Sequence, residues 1–177
     1  LGDTARVPYG SRSPETIIRY SKRVAGHLIK RNIKALVIAC NTATSYAFEE
    51  LQHQCMQFGI PVYGVIEPGA TAALAQSPNK QIAVLGTEGT ISGKKYVNIL
   101  EELEPTVQIK EQACPLFVPV IEEGWHHKDV ARLIAEEYLQ DITDVDTVIL
   151  GCTHYPLLKG LLQELRPNIT FIDSAQA

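Results

Sequence analysis

Little in this chain invites a charged or membrane partner. Over 177 residues the formal net charge is −4 and no cluster of Lys and Arg stands out. That argues against nucleic acid as the main partner, because phosphate binding needs a basic patch. Long apolar runs are missing too; none approaches the roughly 20 residues that a spanning helix needs. The opening residues do not read as a signal peptide. Cysteine is sparse: Cys40, Cys55, Cys114 and Cys152 are the four, and none forms the short C-x-x-C spacing of a zinc site. Four thiols in a chain of this size do not make a disulfide scaffold either, so a reducing cytoplasm is the expected setting. No glycine-rich phosphate fingerprint is present, and no lysine sits where a pyridoxal phosphate anchor would be expected. Neither metal nor cofactor is therefore expected.

What is present is an alternation of apolar strands and amphipathic helices. Hydrophobic residues make up 45% of the chain, enough to bury a core in one domain or two small ones. Ser13-Pro14-Glu15 is a helix start, with an N-cap hydroxyl, a proline at the first helical position and an acid in the first turn. Ile17, Ile18, Val24, Ala25 and Leu28 continue it at helical spacing to about residue 31. Strands are expected at 35–39, 61–66, 81–86, 107–112, 146–150 and 169–172. Helices are expected at 43–57, 68–76, 90–103, 127–140 and 156–165, with the proline-bracketed 115–119 a loop. Such alternation predicts an α/β fold of two similar domains with mainly parallel sheets flanked by helices. A break near Ile66-Glu67-Pro68-Gly69 divides it into a first domain at 1–66, a second at 67–172, and a return toward the first at 173–177. Leu1-Gly2-Asp3 reads as the end of a strand, and 169–174 as a strand leading into another turn. Both suggest a longer natural protein.

Two cysteines stand in matching settings. Leu36-Val37-Ile38-Ala39 leads into Cys40-Asn41-Thr42, and Val148-Ile149-Leu150-Gly151 leads into Cys152-Thr153-His154. Each run reads as a strand buried on both faces. A thiol at the carboxyl end of such a strand, where a helix begins, is expected to have its pKa lowered by the helix dipole. Open α/β sheets also place their ligands at those strand ends. Two thiols so placed predict a cleft with two acid–base groups. Cys55 and Cys114 lack that context and read as buried structural residues.

These motifs carry a resemblance to the glutamate racemase family. Ala39-Cys40-Asn41-Thr42-Ala43 and Gly151-Cys152-Thr153-His154-Tyr155-Pro156 resemble its two cysteine signatures. Gly2-Asp3-Thr4-Ala5-Arg6-Val7-Pro8-Tyr9-Gly10 resembles its substrate loop, and Gly86-Thr87-Glu88-Gly89-Thr90 its mid-chain turn. Cys114-Pro115-Leu116-Phe117-Val118-Pro119 followed by Glu122 also matches. The resemblance runs in order along essentially the whole chain. It departs in one place: the family's opening strand and Asp-Ser turn precede anything seen here, and its closing helical segment is likewise absent.

The resemblance implies cofactor-independent interconversion of L- and D-glutamate, supplying D-glutamate for peptidoglycan synthesis. Cys40 would take the α-proton of D-glutamate and Cys152 that of L-glutamate. Thiols suit the task because each must act as base in one direction and acid in the other. His154 and Glu122 would assist as further catalytic groups. Tyr9, Gly10, Asn41, Thr42, Thr87, Thr90, Thr153 and His154 would bind substrate. Several of these positions are also ordinary helix caps or turns. Arg12 is not implied as a carboxylate clamp, and His27, His53, His126 and His127 read as helix-surface residues. A homodimer stays open. So do two other readings: a related aspartate racemase or thiol-dependent isomerase, and a non-enzymatic α/β binding domain.

Overall fold

The computed structural model describes residues 1–174; of the segment expected to turn back at 173–177, residues 175–177 lie outside them. The first third of the chain builds a small parallel pair of strands. Helix α1 (Pro14–Ile29) starts where Ser13 accepts a hydrogen bond from the Thr16 N–H. Strand β1 (Leu36–Ile38), helix α2 (Asn41–Met56) and strand β2 (Val62–Gly64) follow, and β1 pairs with β2 in the register Val37 to Tyr63. Leu36 and Ile38 bury one face of β1 against Ile17 and Ala25 of α1 and Ala43, Ala47 and Leu51 of α2. Val37, on the other face, is 63% exposed, as is its partner Tyr63 at 56%. The run before Cys40 is thus buried on one face rather than two. Side chains alternate across a strand, and only one side meets helices here.

The rest of the chain folds around a four-stranded parallel sheet of order β4-β3-β5-β6. Its strands are β3 (Gln81–Gly86), β4 (Gln108–Ala113), β5 (Thr147–Gly151) and β6 (Thr170–Asp173). Successive side chains supply opposite cores. Ile82, Val84 and Ile149 face α3 (Ile66–Gln76) and α5 (Lys95–Leu103). Ala83, Leu85, Val148 and Leu150 face α6 (Phe117–Glu122), α7 (Asp129–Leu139) and α8 (Lys159–Leu165). All five residues of β5 are buried, the pattern of a central parallel strand covered on both sides. Each large aliphatic side chain so buried contributes about 1.5–3 kcal/mol.

Four further expectations need correcting. The single helix foreseen at 90–103 is two, α4 (Glu88–Ser92) and α5, separated where Lys94 takes a left-handed φ of 54°. The break lets α4 lie against α2, where a Cβ on Gly93 would come within 2.8 Å of Ser45 Cβ. Residues 117–119, expected as loop, are helical, and the helix runs on to Glu122. Pro119 sits in the first turn of α6, where its missing N–H has no intrahelical role. The segment before α8 is a short 3-10 turn, Tyr155–Leu158, which ends the turn carrying Cys152. His126 and His127 also lie in the turn before α7, ring against ring at 5.2 Å, rather than on a helix.

Candidate active site

Both candidate thiols stand where a parallel strand gives way to a helical turn. Cys40 is the N-cap of α2, and its Sγ accepts a hydrogen bond from the Ala43 N–H at 3.5 Å. Cys152 follows β5 directly and precedes the 3-10 turn. Their surroundings are alike in kind. Cys40 receives the backbone N–H groups of Ala43 and Thr42 and the Thr42 hydroxyl. At Cys152 the Tyr155 N–H is hydrogen-bonded to the Cys152 carbonyl at 3.1 Å, and the His154 and Tyr155 N–H groups and the Thr153 hydroxyl favour the thiolate. N–H groups two and three residues downstream and a threonine hydroxyl thus favour the anion at each sulfur.

The resting thiols are nevertheless protonated, which corrects the expected lowering of their pKa. Burial raises the Cys40 thiol above its ordinary value, against the pull of the N–H donors. Burial likewise pushes Cys152 up to about 11, and repulsion from Cys40 adds to the rise. Desolvation of the charged form outweighs the helix-end dipoles. All four cysteines are free thiols. Cys55 and Cys114 are both fully buried, each within a hydrophobic core.

The remaining site residues gather around the two turns. His154 Nδ1 lies 3.8 Å from Cys152 Sγ, and His154 Nε2 lies 2.5 Å from Glu122 Oε1. Helix α6 carries that carboxylate to the histidine. On the Cys40 side, the Thr42, Thr87 and Thr90 hydroxyls form a buried triangle with edges of 2.8, 3.1 and 3.0 Å. Thr87 is the N-cap of α4 and accepts from the Thr90 N–H, so capping and site geometry share one residue. The Gly10 carbonyl accepts the Gly89 N–H at 2.8 Å, and a Cβ on Gly10 would lie 2.6 Å from Thr87 Cβ. The loop can meet α4 this closely only as glycine. Tyr9 donates its hydroxyl to Asp3 at 2.7 Å.

Two residues escaped the sequence reading. Asp3 holds both Tyr9 and Arg6, the latter at 2.9 Å. Tyr96 is buried and donates its hydroxyl to Asn41 Oδ1 at 2.7 Å. Asp3 lay within a quoted motif, whereas Tyr96 carries no local signal, since it meets Asn41 across 55 residues of sequence. Among the described residues no group of three or more His, Cys, Asp and Glu is arranged to hold a metal ion. No helix among them is long and apolar enough to cross a membrane. A separate concavity of about 450 Å³ runs along β6 beside Ala72, Gln76, Lys159 and Gln163, and is lined by none of the site residues.

A parallel α/β chain with two thiols at equivalent strand ends has a layout suited to proton-transfer chemistry. The Asp/Glu/Hydantoin racemase family model matches residues 1–177, and the chain belongs to that family. It is 51% identical over 180 residues to the glutamate racemase of Sulfurihydrogenibium sp. (strain YO3AOP1), covering 100% of this chain and 68% of that relative. Among solved structures it is similar to glutamate racemase from Bacillus anthracis, with a TM-score of 0.93 at 38% identity, over 99% of this chain and 66% of that one. It is also similar to glutamate racemase from Francisella tularensis in complex with D-glutamate, with a TM-score of 0.92 at 34% identity, over 98% and 65%. The chain spans about two thirds of the length of the relatives it matches.

Proposed function

We propose that the protein interconverts L- and D-glutamate without a cofactor, with Cys40 and Cys152 as the two proton-transfer groups. The observation that carries this reading is the pair of thiols, each at the carboxyl end of a parallel strand where a helical turn begins, on two turns that Tyr96 bridges. Racemisation removes a weakly acidic α-proton from one face and returns one to the other. Two groups flanking the α-carbon do this without turning the substrate over.

The cycle follows from the resting protonation. One thiol must be ionised while the other stays neutral, and their mutual repulsion favours that mixed state over two thiolates. The thiolate takes the α-proton while the opposite thiol delivers its own, which leaves the ionised and neutral roles exchanged. Cys40 acts as base toward D-glutamate and Cys152 toward L-glutamate. His154, braced by Glu122, assists at Cys152. Tyr9, Gly10, Asn41, Thr42, Thr87, Thr90 and Thr153 hold the substrate's polar groups. Residues 1–66 form the Cys40 unit and 67–172 the Cys152 unit, with the cleft between them. The product feeds peptidoglycan synthesis in the cytoplasm, and a homodimer is compatible with this reading.

Circular dichroism of the full-length protein with each enantiomer tests it: both should decay to the racemate, with no response to added pyridoxal phosphate or chelator. Turnover of aspartate but not glutamate would instead favour the aspartate reading. Inactivity on both, with Cys40 and Cys152 no more reactive than Cys55 and Cys114, would favour a binding domain.

A further inference from the structure

We propose that Tyr96 is a positioning residue that holds the Asn41 amide in its substrate-binding orientation and ties the two cysteine turns together. The inference rests on the glutamate reading above but concerns a residue outside both cysteine motifs. Tyr96 lies near the start of α5, on the far side of the four-stranded sheet from His154 and Glu122, and is 1% exposed. Its ring lies against the turn that carries Cys152: a Cβ on Gly151 would come within 3.2 Å of Tyr96 Cε2. Its hydroxyl crosses to the other turn and donates to Asn41 Oδ1 at 2.7 Å, one residue beyond Cys40. One buried side chain therefore touches the neighbour of each thiol.

The donor and acceptor count shows why the hydroxyl matters. An amide side chain has one acceptor and two donor hydrogens, and either flip state fits the same space. Tyr96 engages the acceptor. Asn41 Nδ2 then reaches Ser174 Oγ at a long 3.4 Å, and Ser174 in turn reaches the Leu150 carbonyl. With Oδ1 committed, the nitrogen presents its second hydrogen as a donor, the polarity that a carboxylate needs. Asn41 is 2% exposed, so an amide without this donor would leave a buried acceptor unsatisfied and lose its preference between flip states. A Cβ at Gly69 would meet the Tyr96 oxygen at 3.3 Å and Ser174 Cβ at 3.0 Å. The absence of side chain at both glycines is what lets the phenol reach across.

The test uses the full-length protein and the variants Y96F, N41A and Y96F/N41A. Y96F keeps the ring that packs on Gly151 and removes only the donor. Glutamate affinity is read from protection of the thiols against iodoacetamide, alongside KM and kcat in both directions. Y96F should weaken glutamate binding about five- to tenfold for both enantiomers, the size expected of one hydrogen bond. It should change kcat less than KM and keep a cooperative melt. In the N41A background the same change should have no further effect, because a residue acting through Asn41 has nothing left to position. Equal affinity in Y96F and wild type would overturn the proposal, as would an undiminished loss in the N41A background. Loss of the cooperative melt in Y96F would overturn it too, by making the hydroxyl a structural tie. Should wild type act on aspartate instead, the glutamate reading falls. The ratio between Y96F and wild type on aspartate then decides the role of Tyr96 by the same criteria.

Discussion

Glu122 Oε1 lies 2.5 Å from Nε2 of His154, whose other ring nitrogen faces Cys152 at 3.8 Å. The three form a line from solvent to sulfur, and the order sets how much each should matter. The Glu122 side chain is 65% exposed, and ion pairs at that exposure contribute little. E122Q should therefore cost less than tenfold in kcat. H154N removes the group beside the sulfur and should cost about 100-fold, within the usual range for a positioned proton-transfer group. Its α-deuterium isotope effect should grow for L-glutamate and not for D-glutamate, because His154 serves Cys152. Steady-state kinetics with protiated and deuterated substrates check both values. A larger loss from E122Q than from H154N would reverse the order of the line.

Replacing Cys40 or Cys152 by serine should abolish racemisation in both directions, since each direction needs a base and an acid. Elimination of a good leaving group from a substrate analogue can proceed with the base alone. C40S should keep elimination from the L-like analogue, and C152S from the D-like one. Product release from the two analogues, followed for each variant, reads the assignment. An inverted pattern would exchange the roles of the thiols.

Gly10 offers a test of the substrate loop. A Cβ there would lie 2.6 Å from Thr87 Cβ and 2.7 Å from Thr87 Cγ2, so G10A must displace the loop or the threonine triangle. Overpacking of this kind costs about 1–3 kcal/mol. The expected result is a KM for glutamate raised about tenfold with the fold retained. Wild-type kinetics in G10A would show that the loop stands apart from the site.

The buried thiols also predict how stability depends on pH. Cys152 is pushed from 9.0 up to about 11 by burial, with repulsion from Cys40 adding. The folded state thus keeps its proton where the unfolded chain has lost it. That contribution is complete below pH 9 and falls by about 1.4 kcal/mol per pH unit between 9 and 11. Cys40 and Cys114, both raised chiefly by burial, act with the same sign. Urea midpoints should fall steadily between pH 9 and 10.5, and C152S should flatten the slope. Rising stability over that interval would contradict the protonated resting state.

Much of this was legible in the sequence because the signals are local. β5 reads as a buried strand from Val148-Ile149-Leu150 alone, and α1 from Ser13-Pro14-Glu15 and its apolar spacing. The matching of the Cys40 and Cys152 turns needs no tertiary information either. What escaped depends on contacts between distant segments. Val37 looks like its counterparts in β5, but its exposure depends on whether a neighbour covers that face. The thiol pKa turned on burial, which opposes the helix-end effect that the sequence does show. The kink at Lys94 follows the packing of α4 on α2, and Tyr96 gains a role only by meeting Asn41, 55 residues away in sequence.

The central claim is that two single-proton groups work from opposite faces of one α-carbon. Conversion of L-glutamate in D₂O by the full-length protein tests it most directly, with mass spectrometry of both enantiomers early in the reaction. Each thiol carries one proton, so the thiol that receives the substrate's proton returns that same proton when the reaction reverses. The opposite thiol, exchanged with solvent, delivers deuterium. The predicted result is D-glutamate carrying one α-deuterium and remaining L-glutamate carrying essentially none. Equal deuterium in both enantiomers from the first turnovers would contradict the account, since it would require one solvent-exchanging base to serve both faces.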